Sequence, residues 1–129
     1  MTNGGSFQQT VDTMLIRHQS ILDILAKNQE ASARVTRAVT KAVTSCGCLA
    51  IDAHKKPIPE NATIFDLKGL LSSHVTGSLC PNCREAIENE LGRQMFYLAA
   101  LANTLNLSLD QAVEHEENIL KTLTVFTLR

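Results

Sequence analysis

The chain has no tryptophan, one tyrosine and four phenylalanines, so aromatics are only 4% of its 129 residues. Its core must therefore be aliphatic, and Leu, Ala, Val and Ile suit packed helices. Charge of one sign is also lacking. The formal net charge is −1, which removes any general attraction to nucleic acid or to an anionic membrane. No apolar run approaches the roughly 18 residues that a membrane span needs. The opening Met1-Thr2-Asn3-Gly4-Gly5-Ser6 lacks the basic and apolar regions of a signal peptide. The expected compartment is the cytosol, where thiols stay reduced. Also missing are a Gly-rich phosphate loop, a Ser-His-Asp grouping and an aromatic-plus-basic surface for single-stranded nucleic acid. There is no internal repeat or low-complexity segment.

What is present reads as one helical domain over residues 1–129. No Gly or Pro interrupts Phe7 to Thr44, so the segment is one long helix or two helices joined near Lys27 to Gln29. Val11, Leu15, Leu22 and Leu25 fall on one face with His18 in the stripe, and Val35, Val39 and Val43 resume it. Gly47 is a left-handed stop. Leu49-Ala50-Ile51 is a short extended clip. The two prolines Pro57 and Pro59 place a loop after it. Asn61 or Thr63 caps a short helix through Phe65, Leu67, Leu70 and Leu71, and Ser72 to Ser78 returns to loop. The most secure helix spans about Arg84 to Leu105, with Pro81 in its first turn. Ile87, Leu91, Met95, Leu98, Leu101 and Leu105 form its apolar stripe, and Ala99, Ala100 and Ala102 permit close approach. Ser108-Leu109-Asp110-Gln111 is a capping box. It opens a last helix to about Val125 that buries Val113, Leu120 and Leu123. The short turn makes the last two helices antiparallel neighbours.

Four cysteines form two close pairs, Cys46/Cys48 and Cys80/Cys83. A Cys-x-x-Cys knuckle at a helix start grips one ion with two thiolates, and the helix N-terminus stabilises their charge. Cys46-x-Cys48 can supply two more sulfurs. A four-cysteine site would pin the ends of a central loop, residues 49–79. His54 and His74 inside that loop are substitute ligands. Structural zinc fits this donor set better than an iron–sulfur cluster. A thiol-redox reading of Cys80-Pro81-Asn82-Cys83 remains open, but the βαβ pattern of thioredoxin-type folds is missing. Glu90 and Arg93 stand at i,i+3, ordinarily a solvated ion pair. Arg34, Arg37 and Lys41 form a basic stripe that can meet a phosphate or an acidic partner. Glu114-His115-Glu116-Glu117 reads as a solvated acidic face.

The run Glu90-Leu91-Gly92-Arg93-Gln94-Met95-Phe96-Tyr97-Leu98-Ala99-Ala100-Leu101-Ala102-Asn103, followed by Leu107-Ser108-Leu109-Asp110-Gln111-Ala112, resembles the third and fourth helices of MazG-type nucleoside triphosphate pyrophosphohydrolases. The resemblance covers about Glu88 to Leu123. It implies an all-α, MazG-like helical bundle with a central cysteine-clamped loop, working as a homo-oligomer. It also implies Mg²⁺ held by carboxylates from two helices, which binds the triphosphate and activates water. Glu90 matches the family's glutamate, but Arg93 stands where its aspartate belongs. On the preceding helix only Glu30 matches. The resemblance thus supports the fold and weighs against metal-dependent hydrolysis.

Three functions follow as expectations. The first is a zinc-stapled, non-catalytic interaction or regulatory module with Cys46, Cys48, Cys80 and Cys83 as ligands, and with a nucleotide or protein partner. The second is a Mg-dependent nucleoside triphosphate pyrophosphohydrolase using Glu30, Glu88 and Glu90, with Asp23 or Glu85 assisting. The third is a thiol redox switch. No membrane or specific nucleic-acid partner is expected.

Overall fold

The computed structural model describes residues 5–122. Helix α1 (Ser6–Met14) leads to α2 (Ile21–Lys41), which runs on into a π-helical turn, Ala42–Cys46. Strand β1 (Leu49–Ile51), a short α3 (Leu67–Leu70) and β2 (Val75–Gly77) form the central excursion. The long α4 (Pro81–Thr104) and α5 (Leu109–Thr122) complete the order. The described chain is therefore mainly helical, with one two-stranded antiparallel ribbon. No described helix is long and apolar enough to cross a membrane.

The N-terminal segment is two helices, but their joint lies at residues 15–20 and not near Lys27 to Gln29. His18 sits in that joint with positive φ, and its ring meets the Asp23 carboxylate at 2.6 Å. It is not part of a helical stripe. The break resets the helical phase. Ile24 is fully buried, whereas Leu22 is 75% exposed and Leu25 is also exposed. No Gly or Pro marks this joint, so only its geometry reveals it.

α2 and α4 pack as the main pair. Their inward positions recur at alternating four- and three-residue steps. On α2 these are Ile24, Asn28, Ala31, Val35 and Ala38, continued by Ala42 in the π-helical turn; on α4 they are Cys83, Ile87, Glu90, Gln94, Tyr97 and Leu101. This is the spacing of a helix–helix seam, and the alanines let the backbones approach. α1 lies against the second half of α4, where Val11, Ile24, Ala99 and Ala100 form the buried cluster, flanked by Leu15, Phe96, Leu101 and Leu109. Leu91, Met95, Leu98 and Leu105 stay exposed. Two of the six positions of the expected α4 stripe, Ile87 and Leu101, thus face inward, and the other four lie on a neighbouring flank.

α5 touches α4 only sparsely. The Ser108 hydroxyl accepts the Gln111 N–H at 3.2 Å, as the capping box requires. Val113 and Leu120 are exposed, however, and not buried. Leu123 and Val125 lie outside the described residues. In the central excursion the helix is only Leu67–Leu70, with Thr63 N–H donating to Asp66 at its approach.

Candidate metal centre

Local structure delivers each cysteine to one place. The π-helical turn carries Cys46 past the end of α2, and Gly47 (φ 83°) reverses the chain so that Cys48 turns back toward it. A left-handed residue there is nearly free for glycine and strained for other types. Cys48 leads directly into the ribbon, whose register pairs Leu49 with Gly77, Ala50 with Thr76 and Ile51 with Val75. Gly77 has φ 87°, and a Cβ on it would strike the Cys48 carbonyl oxygen. The ribbon therefore returns the chain beside its starting point. Cys80 then caps α4, Pro81 occupies the first turn, and Cys83 follows one turn later.

The four sulfurs all lie within 4.8 Å of one another, and no disulfide joins them. Cys46 Sγ and Cys80 Sγ are 3.8 Å apart. A tetrahedron with metal–sulfur bonds of about 2.3 Å has edges of about 3.8 Å. Among the described residues this is the one group of three or more Cys, His, Asp or Glu side chains placed to hold a metal ion.

Electrostatics favour a thiolate at Cys80. The Cys83 backbone N–H donates to its sulfur at 3.4 Å. That bond, with support from the Cys83, Cys46 and Cys48 side chains, lowers the Cys80 thiol to about 7. Cys83 is pushed up to about 12, chiefly by its hydrogen bond with Cys80, because it retains its proton beside that thiolate. A cation would remove this asymmetry by stabilising thiolate at all four positions.

Beside the sulfurs runs a groove of about 700 Å³. Arg34, Arg37 and Lys41 line it from α2, together with Cys46, Asn82 and Glu90. The basic stripe thus faces the same space as two of the cysteines. Within it, Glu90 accepts from Arg34 Nε at 2.6 Å and meets Arg93 at 3.5 Å. The Arg34 hydrogen bond holds the Glu90 carboxyl below its ordinary range, and Glu90 raises Arg34 in return.

The other sequence candidates do not assemble. Glu30 pairs with Lys27 at 3.2 Å. Glu88 is exposed, two residues from Glu90 and so turned about 200° away around α4. Glu30, Glu88 and Glu90 form no ligand group. Asp23 is engaged by His18. His54 and His74 face each other, with ring centroids 6.1 Å apart, and do not join the sulfur cluster. In the acidic face of α5, Glu117 pairs with Lys121 at 2.9 Å.

One organising residue escaped the sequence reading. Gln8 is buried. Its amide donates to Asn103 Oδ1 at 2.8 Å and Leu107 O at 2.7 Å, and accepts the Leu109 N–H at 2.8 Å. It locks α1 to the α4–α5 turn. A glutamine between exposed positions carries no sequence signal for this. Arg34 was visible only as part of a stripe, because its partner Glu90 is 56 residues away.

Comparison with family models, curated proteins and solved structures finds no match to this chain.

Proposed function

We propose that this chain is a zinc-stapled helical module that acts by binding and not by turning over a substrate. The convergence of four sulfurs within 4.8 Å, drawn from both ends of the central excursion, carries this reading. An all-sulfur, four-donor set suits Zn²⁺ and leaves no open position for a reacting water. The metal would join the end of α2 to the start of α4 and contribute folding energy there.

On this reading the α2–α4 pair is of MazG type, with its carboxylate cage replaced. The small pocket between the helices is lined by Lys27, Glu30, Arg34, Arg93 and Tyr97. Lys27, Arg34 and Arg93 supply fixed cations where a Mg²⁺ site needs acids, and Glu90 is already neutralised by two of them. Mg-dependent pyrophosphohydrolysis is the less supported reading for that reason.

Elemental analysis of protein purified without added metal tests the proposal. One zinc per chain, lost together with thermal stability in a strong chelator, is the expected result. No stoichiometric metal, or an unchanged fold after chelation, contradicts it. A screen of nucleoside triphosphates for pyrophosphate release should show no Mg-dependent turnover. Turnover abolished in Glu90→Gln would restore the hydrolase. Reversible thiol oxidation with zinc release would instead favour a redox switch.

A further inference from the structure

We infer that the groove beside the sulfurs, between α2 and α4, binds an extended acidic segment of a partner protein, with Arg37 and Lys41 holding its carboxylates and Asn82 and Asn89 holding its main chain. This names the partner class for the binding role proposed above and rests on that role, but it does not require the metal.

The Arg34–Glu90 and Cys46–Cys80 contacts show that α2 and α4 run antiparallel. The groove along one flank of this pair holds about 700 Å³, within the size range of binding clefts. Its α2 wall is cationic. Its α4 wall carries the side-chain amides of Asn82 and Asn89, and Ala38 and Ala86 lie between the two walls. The one acid among the lining residues, Glu90, is already held by Arg34 and Arg93. Arg34 is thereby engaged as well. Among the described residues no ion pair engages Arg37 or Lys41, although the chain as a whole has a formal net charge of −1. Arg37, Lys41, Asn82 and Asn89 are all exposed, so no described part of the chain covers them.

Spacing and donor type select the occupant. Arg37 and Lys41 stand one turn apart, about 6 Å along α2. Alternate side chains of an extended peptide lie on one side about 6.6 Å apart, so acids at i and i+2 meet the two cations. Asn82 and Asn89 stand two turns apart, about 10.5 Å along α4. Each amide both donates and accepts, which suits the N–H and C=O groups of a main chain. A phosphate or carboxylate ion is chiefly an acceptor and leaves the amide oxygens unmatched. No aromatic side chain lines the groove, so a nucleotide base has nothing to stack on. Two free cations also fall short of the cluster of roughly four to eight that marks an anionic-membrane site.

The test titrates the full chain, as purified, with a fluorescent peptide of about eight residues that alternates glutamate and alanine. Binding should saturate at about 50 mM salt and weaken severalfold at about 500 mM. The side-chain amide NMR signals of Asn82 and Asn89 should shift on binding, and a peptide alternating glutamine and alanine should not bind. Arg37→Glu combined with Lys41→Glu should weaken binding about tenfold or more. Asn89→Asp adds an acid to the opposite wall, away from the cysteines. It should weaken binding severalfold, and it decides if the double variant does not fold. No saturation up to about 1 mM peptide, equal binding of the glutamine peptide, or unchanged affinity in both variants overturns the inference. Tighter binding of oligothymidylate, ATP or phosphatidylserine vesicles than of the peptide also overturns it. Zinc content is measured on the same samples. Loss of zinc from the double variant, with its helical signal kept, assigns the two cations to offsetting the thiolate charge and overturns the peptide site. Peptide binding by a metal-free wild-type chain keeps the site and removes the zinc reading. A zinc-loaded chain that binds no peptide does the reverse.

Discussion

Cys46 Sγ lies 3.8 Å from Cys80 Sγ across 34 residues of chain. That contact depends on three local devices: the left-handed Gly47, the β1–β2 ribbon, and the capping position at the start of α4. A metal bound by both sulfurs cross-links the excursion at its base. Cys46→Ser or Cys80→Ser should therefore abolish stoichiometric metal binding. A cross-link closing a loop of this length is worth about 3–4 kcal/mol in the chain-entropy picture, or roughly 10–20 °C in Tm. Calorimetry of the metal-loaded wild type and each variant measures the difference. Equal melting temperatures would show that the sulfurs hold nothing together.

Gly77 and Gly47 separate strain from collision. Both have positive φ, but only at Gly77 would a Cβ strike the Cys48 carbonyl oxygen. Gly47→Ala should cost about 1–2 kcal/mol from the left-handed backbone alone. Gly77→Ala should cost more and should also weaken metal binding, because the ribbon must shift to make room. Denaturant unfolding and a metal titration of the two variants check the order. An equal or reversed order would contradict this account of the ribbon.

Gln8 is the polar lock of the helical core. Gln8→Ala leaves the Leu109 N–H, the Leu107 carbonyl and Asn103 without their partner. Each unsatisfied buried group costs about 1–3 kcal/mol, so a total loss of about 2–4 kcal/mol is expected, with part of it recovered by water. Hydrogen exchange should quicken at the α4–α5 turn and leave the cysteine region protected. Uniform quickening would mean that the lock is not local.

Glu90 sets an acid dependence. Its carboxyl is lowered in the folded state, mainly by the Arg34 hydrogen bond. A depressed folded pKa contributes stability that is complete above the unfolded value of about 4.3 and is lost as pH falls through the lower folded value. Glu90→Gln should therefore lower the melting temperature at neutral pH. It should also flatten the decline below about pH 4.3, a difference that thermal melts across the acid range would show. Parallel wild-type and variant curves would contradict the pairing.

The sequence announced α4 because Pro81, the alanine run and the apolar steps agree on one helix. It announced the cysteine cluster because two tight pairs invite a common ligand. The β1–β2 ribbon was half visible: Leu49-Ala50-Ile51 reads as extended, but its partner Val75-Thr76-Gly77 looks like loop until the pairing is known. The buried faces were hardest to read. The chain has too many well-spaced apolar residues for one seam, so periodicity could not tell Ile24 from Leu25 or Ile87 from Leu91. Long-range partners such as Arg34 with Glu90, or Gln8 with Leu109, leave no local pattern at all.

We propose that four thiolates hold one zinc. X-ray absorption at the zinc edge, on protein purified without added metal, tests it most directly. Four sulfur neighbours at about 2.3 Å are expected. Nitrogen or oxygen neighbours at about 2.0–2.1 Å, or no zinc edge at all, would contradict it.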